Sequence, residues 1–228
     1  MERSADRRQS GRPEPLAIPI DAHIKEDRSA ESLPAEPSSG PLPLPRRMSG
    51  MIRGELTNLR AAERSDAEFL LGLLNSESVQ TGWGTRGVPV SGARIQADIE
   101  NWLASERLDG FPTGLIIETL DGDAVGLALV VRSDRFNQSM ATLSLAIGIN
   151  HARQGYGRDA LIALTTALHE EWNIHRVQLA CESDNAAAVG LYESVGFVRE
   201  VTRRQATFTG GDYRDQFIYA ALPGEIRL

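Results

Sequence analysis

The chain has 228 residues, 41% of them apolar, and a formal net charge of −7 at pH 7. That length and apolar content support a sizeable core, whereas the acidic balance argues against nucleic acid as a partner, because phosphate binding needs a basic face. The single cysteine, Cys181, excludes an intrachain disulfide and a cysteine-rich zinc site; the four histidines have no ligand spacing, so no metal site is expected; and no apolar stretch approaches the roughly 18 residues of a membrane span.

The first fifty residues hold 8 of the 11 prolines and none of the 13 aromatic residues. The run Pro41 to Pro45 reads as extended rather than packed. Residues 1–51 are therefore expected to be a disordered Pro-rich tail, and residues 52–228 a folded domain. The eight basic and eight acidic side chains of residues 1–50 cancel, so the rest of the chain carries the whole −7, a balance that suits a cationic substrate. The tail has neither an apolar signal core nor an acid-poor transit composition, which makes the cytoplasm the expected location. Met48 and Met51 offer alternative starts.

Along the domain, Thr57 to Ala61 is a strand candidate. Ser65 and Glu68 then have capping-box spacing for a helix from Asp66 to about Asn75, with Phe69, Leu70, Leu73 and Leu74 as its apolar stripe. Residues 76–91 read as a loop around Trp83, either lining a substrate cleft or pinned by that tryptophan to the core, and Ser91 N-caps a helix over 92–105. Strands follow at 113–119 and 124–132, joined by the turn signal Asp121-Gly122-Asp123. A second turn at 137–139 leads to a strand over 141–149, where Leu143, Leu145, Ile147 and Ile149 alternate with small residues. Three strands linked by short turns are antiparallel neighbours.

After Gly155 and Gly157 the period switches to helical over 157–172. The next strand, 176–181, must return parallel to its predecessor because a helix has crossed between them. A short helix over 185–195 ends at Gly196. A strand from Phe197, a Gly210-Gly211 turn and a strand from Tyr213 to Leu222 close the chain. The class is α+β, with a mixed, mostly antiparallel sheet, flanking helices and one parallel joint.

The loop at 153–158 is the focus of the chemistry. A helix start leaves about four N–H groups without intrahelical partners, and with the helix dipole they suit an anion such as a pyrophosphate. Gly155 to Ala160 also fits the dinucleotide fingerprint, with Glu182 at the place of a ribose-binding acid. Hairpin-connected strands before the loop, and a single crossover, weigh against that nicotinamide-type oxidoreductase.

These residues resemble the GNAT superfamily of acyl-CoA-dependent N-acetyltransferases over about residues 54–223. The pyrophosphate motif matches at Gly155 and Gly157, with Ala152 where glutamine or arginine is usual. Asn173 to Val177 and Asp184 to Phe197 look like the second cofactor segment. Asn58 to Arg60 and Gly211 to Asp215 point to the bacterial ribosomal-protein Ser/Ala N-terminal acetyltransferase branch.

The resemblance implies acetyl-CoA as cosubstrate, held by the backbone of Ile147 and Ile149, by Arg153, Gln154, Gly155, Tyr156, Gly157 and Arg158, and by Asn185. It implies Tyr192 as the acid that protonates the departing sulfur, although Tyr192 could also be a packed aromatic and Asn185 a helix N-cap. Family members often place a glutamate at positions that correspond here to Thr142 and Ala180, neither of which can act as a base. Glu182 is the candidate base, Glu118 a weaker one, and a water chain an alternative. The implied acceptor is a primary amine, on a protein N-terminus or a small molecule. Because those glutamates are missing, an acyl-CoA-binding module with little catalysis is the second reading.

Overall fold

The computed structural model describes residues 51–83, 88–109, 113–132 and 139–227. Eight strands form one sheet: β1 (Met51–Arg53), β2 (Thr57–Ala61), β3 (Gly114–Thr119), β4 (Ala124–Arg132), β5 (Met140–Ile147), β6 (Arg176–Glu182), β7 (Val198–Thr209) and β8 (Asp212–Ala221). Five helices flank it: α1 (Ala67–Leu74), α2 (Glu77–Gly82), α3 (Gly92–Asp109), α4 (Tyr156–Glu170) and α5 (Ala186–Val195). The strand order is β1-β2-β3-β4-β5-β6-β8-β7, and β5–β6 is its parallel pair. A single parallel joint in an otherwise antiparallel sheet does not build the doubly wound fold that a dinucleotide site needs.

The inner strands are buried on both faces, which explains their continuous apolar runs. On β3 and β4 neighbouring residues point to opposite sides. Ile116 and Leu127 pack with Leu70 and Leu73 of α1, Val79 of α2, and Ile95 and Ile99 of α3. Ile117 and Ala128 pack with Leu161, Leu164 and Leu168 of α4 and with Tyr192 and Val195 of α5.

Several elements depart from the sequence-based expectation. The helix start near residue 65 is fixed by Asp66 rather than Glu68: a 3-10 turn at Arg64–Asp66 precedes α1, and the Asp66 carboxylate accepts the Glu63 N–H at 2.7 Å. The same carboxylate takes a two-pronged bond from Arg60 (2.7 and 2.8 Å), whose Nε reaches Glu118 at 2.6 Å. An ionised partner makes Asp66 the stronger cap. Part of the expected loop over 76–91 is α2, held by buried Val79. Ser91 does cap α3, accepting the Arg94 N–H at 3.2 Å, but that helix runs on to Asp109. The strand expected to reach residue 149 stops at Ile147, and Ile149–His151 form a 3-10 turn. The turn expected at 137–139 lies largely outside the described residues, as does the tail over residues 1–50.

Candidate active site

β5 and β6 are in register only from Met140/Arg176 to Leu143/Leu179. Beyond that point each strand stays paired with its outer neighbour, β5 with β4 as far as Ile147 and β6 with β8 as far as Glu182. Ser144 to Ile147 therefore faces Ala180 to Glu182 across a V-shaped gap in the sheet. A strand edge without a partner presents N–H and C=O groups that a ligand can pair.

The loop that leads into α4 lies at the end of β5. Arg153 (φ 60°) and Gly155 (φ 91°) both take the left-handed conformation, which is unusual for a non-glycine residue. Left-handed turns make successive N–H groups converge into a concave nest. Gly155 gives α4 no side-chain cap, so the first-turn donors are satisfied by no capping side chain and suit an anion. Arg153, Gln154, Gly155 and Arg158 are exposed around this nest, and Gln154 Nε2 donates to the Asn150 carbonyl at 2.9 Å. A Cβ at Gly157 would sit 3.4 Å from Ile147, 3.7 Å from Leu145 and 3.8 Å from Leu191, between β5 and α5.

Of the two isoleucines expected to offer their backbone, Ile147 ends β5 at the gap. Ile149 is 63% exposed, and its carbonyl is engaged by the Ala152 N–H at 3.2 Å. Gly148 turns the chain out of the strand between them. Asn185 Oδ1 accepts the Ala188 N–H at 3.1 Å and so caps α5, leaving its amide nitrogen beside Gly82 at the end of α2. Trp83 follows and donates its indole N–H to the Leu145 carbonyl at 3.2 Å. The end of α2 thus spans the gap from β5 to the α5 cap.

Tyr192 of α5 is 7% exposed and stacks edge-on against Tyr219 at 5.5 Å between ring centres, with Phe197 at 6.3 Å. Burial raises its phenol above the ordinary value, and neighbouring Cys181 and Tyr219 add to the shift. The Cys181 thiol is pushed up to about 11, chiefly by burial and then by Glu193. Both groups keep their protons at neutral pH.

Glu182 is on the other face of β6, which it shares with Ala180 by strand alternation. It is 6% exposed, and its Oε1 accepts the Thr209 hydroxyl at 2.5 Å. Glu118 is bound to Arg60 on β3, two strands away from the gap. Thr142 accepts from Gln178 Nε2 at 3.0 Å across the paired part of β5 and β6. Among the described residues no group of histidine, cysteine and carboxylate side chains could hold a metal, and no helix is long and apolar enough to cross a membrane.

Two contributors were not found from the sequence. Asp159, in the first turn of α4, accepts the N–H groups of Glu55, Leu56 and Thr57 at 2.8, 3.0 and 2.8 Å and the Thr57 hydroxyl at 2.6 Å. Thr209 reaches Glu182 from the far end of a twelve-residue strand. Neither has a local signature; the absence of a side chain at Gly54, where a Cβ would collide with the Asp159 carboxylate, is what permits the close approach.

The family model for the acetyltransferase (GNAT) domain matches residues 57–198. A spermidine N(1)-acetyltransferase of Vibrio cholerae serotype O1 is 25% identical over 170 residues, covering 72% of this chain and 91% of that protein. The [ribosomal protein bS18]-alanine N-acetyltransferase of Escherichia coli K12 is 39% identical over 84 residues, 36% of this chain and 55% of its own. In fold, a ribosomal L7/L12 α-N-protein acetyltransferase solved with coenzyme A superposes with a TM-score of 0.67 at 22% identity, over 75% of this chain and 97% of that one.

Proposed function

The chain belongs to the GNAT acetyltransferase family, and from that premise we propose that it transfers an acetyl group from acetyl-CoA to a primary amine by direct attack across the β5–β6 gap. The observation that carries this reading is the gap itself: it ends at a nest of backbone donors and has a buried phenol on one face and a buried carboxylate on the other.

Acetyl-CoA supplies a thioester whose carbonyl the amine attacks. The residues of this chain fit such a molecule. The N–H groups of residues 153–158 hold the pyrophosphate with the dipole of α4 behind them. The pantetheine arm passes Gly157 between β5 and α5, and the free edge of β5 up to Ile147 pairs with its amides. Asn185 and Trp83 border this path, and the Leu145 carbonyl that Trp83 now engages belongs to the same edge.

Tyr192 holds a proton on its phenol oxygen at neutral pH, as a donor to the departing sulfur must. Glu182 receives the proton that the ammonium group must lose before it can attack. With acid and base on opposite faces of β6, the amine reaches the thioester carbonyl from the Glu182 side, and as the C–S bond breaks the sulfur leaves toward Tyr192 and takes its proton.

Two acceptors share the required chemistry, a protein N-terminal amine and a polyamine. The acidic domain favours a cationic acceptor of either kind, and the relatives include enzymes named for each. Thiol release from acetyl-CoA with spermidine, and with peptides beginning in serine or alanine, tests the activity. Release above the hydrolysis background with either acceptor class supports it. Acetyl-CoA binding without release for any amine would instead support the non-catalytic binding module. We place the protein in the cytoplasm, where acetyl-CoA and both acceptors are available.

A further inference from the structure

β7 is exposed along almost its whole length; of its twelve residues only the last, Thr209, is buried, at 4% exposure. A polar residue buried at the tip of an exposed edge strand needs a reason, since threonine there gains nothing from a packed core. The reason lies in the hairpin. Arg203 pairs with Gln216 and the next pair is Thr207 with Arg214, so β7 carries two extra residues against β8. Gln205 takes φ 50° within this bulge, and its N–H donates to Asp215 Oδ1 at 2.8 Å.

Bulges bend a strand and increase its twist. The bend carries the tip of the β7–β8 hairpin onto the end of β6, where the Ser183 N–H donates to the Asp215 carbonyl at 2.8 Å and Arg214 pairs with Asp184 at 3.2 Å. Thr209 is thereby delivered to Glu182.

We infer that Thr209 is a positioning residue for the acetyl-transfer reaction, whose hydroxyl orients the Glu182 carboxylate; this rests on the reading of Glu182 as the base. The Thr209 hydroxyl donates to Oε1, which fixes the plane of the carboxylate and leaves Oε2 to accept the ammonium proton. Among the described residues, charged groups on this face have other partners. Arg203 donates to Gln216 at 3.4 Å, Arg214 is held by Asp184, and Asp212 lies 3.8 Å from Arg214. Thr209 is the group that answers the Glu182 carboxylate directly.

The test uses the full chain and two readouts: kcat and KM for thiol release from acetyl-CoA, with whichever of spermidine or the Ser- and Ala-starting peptides turns over, and the dissociation constant for acetyl-CoA. Glu182→Gln is expected to lower kcat by about 100-fold. Thr209→Val, or the smaller Thr209→Ala should the valine variant not fold, is expected to lower kcat by about tenfold while KM and the dissociation constant for acetyl-CoA stay at their wild-type values. Thr209→Ser is expected to keep the wild-type kcat. If Glu182→Gln lowers kcat but the Thr209 variants do not, the positioning role is wrong and the base assignment stands. If Glu182→Gln leaves kcat unchanged, the base assignment falls and this inference with it.

Discussion

Asp159 Oδ2 takes both the backbone N–H and the hydroxyl of Thr57, at 2.8 and 2.6 Å, and so ties the start of α4 to the turn between β1 and β2. The other carboxylate oxygen takes the Glu55 N–H at 2.8 Å. A carboxylate in the first turn also complements the helix dipole. The anion-binding loop is therefore braced by a contact 102 residues away in the chain. Asp159→Ala is expected to cost about 1–3 kcal/mol in urea unfolding, since it leaves three turn N–H groups without this acceptor. Apparent affinity for acetyl-CoA is expected to fall as well, because the loop loses its support.

Gly157 separates folding from binding. Its Cβ would meet its neighbours at ordinary contact distances, and glycine in a helix costs about 0.5–1 kcal/mol relative to alanine. Gly157→Ala is thus expected to unfold at an equal or higher temperature and yet to bind acetyl-CoA more weakly, because the methyl group enters the path of the pantetheine arm. A variant that is stabilised and binds normally would show that the pantetheine arm takes another path.

Replacing Tyr192 with phenylalanine removes the proposed proton donor and keeps its packing against Tyr219 and Phe197. Turnover is expected to fall by about 100-fold, with the dissociation constant for acetyl-CoA unchanged. Steady-state kinetics together with direct binding would check this, and unchanged turnover would remove the acid assignment.

The Arg60–Asp66–Glu118 group makes a prediction about acid stability. Burial opposes ionisation of Asp66, but its bonds from Arg60 and the Glu63 N–H outweigh that and hold the carboxyl below its ordinary value of 3.8. A carboxyl depressed in the folded state stabilises it above the ordinary value, and the contribution is lost as pH falls through the folded one. Asp66→Asn is therefore expected to lower stability near pH 7 by about 1–3 kcal/mol. The difference from wild type should shrink as the pH drops below about 4. Urea titrations at pH 7 and at acid pH would measure it.

Cys181 is expected to resist alkylation at pH 7 in the native protein, because burial keeps the thiol protonated with a value of about 11 and the thiolate is the reactive form. Modification should become fast only in denaturant, which a thiol-reactive dye would follow.

Much of this architecture is local and therefore legible in the sequence. The apolar runs of β3 and β4, the alternation along β5, the Gly122 and Gly210-Gly211 turns, the Ser91 and Asn185 caps and the crossover that makes β5 and β6 parallel all depend on neighbours in the chain. The nest at 153–158 is also local, which is why the loop stood out. What remained hidden depends on distant partners. β1 is three residues long and exists through its pairing with β2. α2 has weak helical propensity in Glu77 to Gly82 and is held by Val79 in the core. Ile149 continues the strand pattern of β5 but falls beyond the turn at Gly148. Asp159 and Thr209 act on residues that no spacing rule connects to them. The candidate base is the clearest case: alternation places Glu182 on its face, and the partner that holds it, 27 residues further on, is delivered by the bulge between Arg203 and Thr207.

The gap between β5 and β6, with the nest at its end, is proposed to be built for acetyl-CoA. Calorimetric titration of the full chain with acetyl-CoA, with NAD as the control, tests it most directly. Saturable binding of one acetyl-CoA per chain is expected, accompanied by a change in tryptophan fluorescence as Trp83 leaves the Leu145 carbonyl, with no heat of binding for NAD. Folded protein that binds no acetyl-CoA would contradict it, and the assignments of Tyr192, Glu182 and Thr209 would fall together.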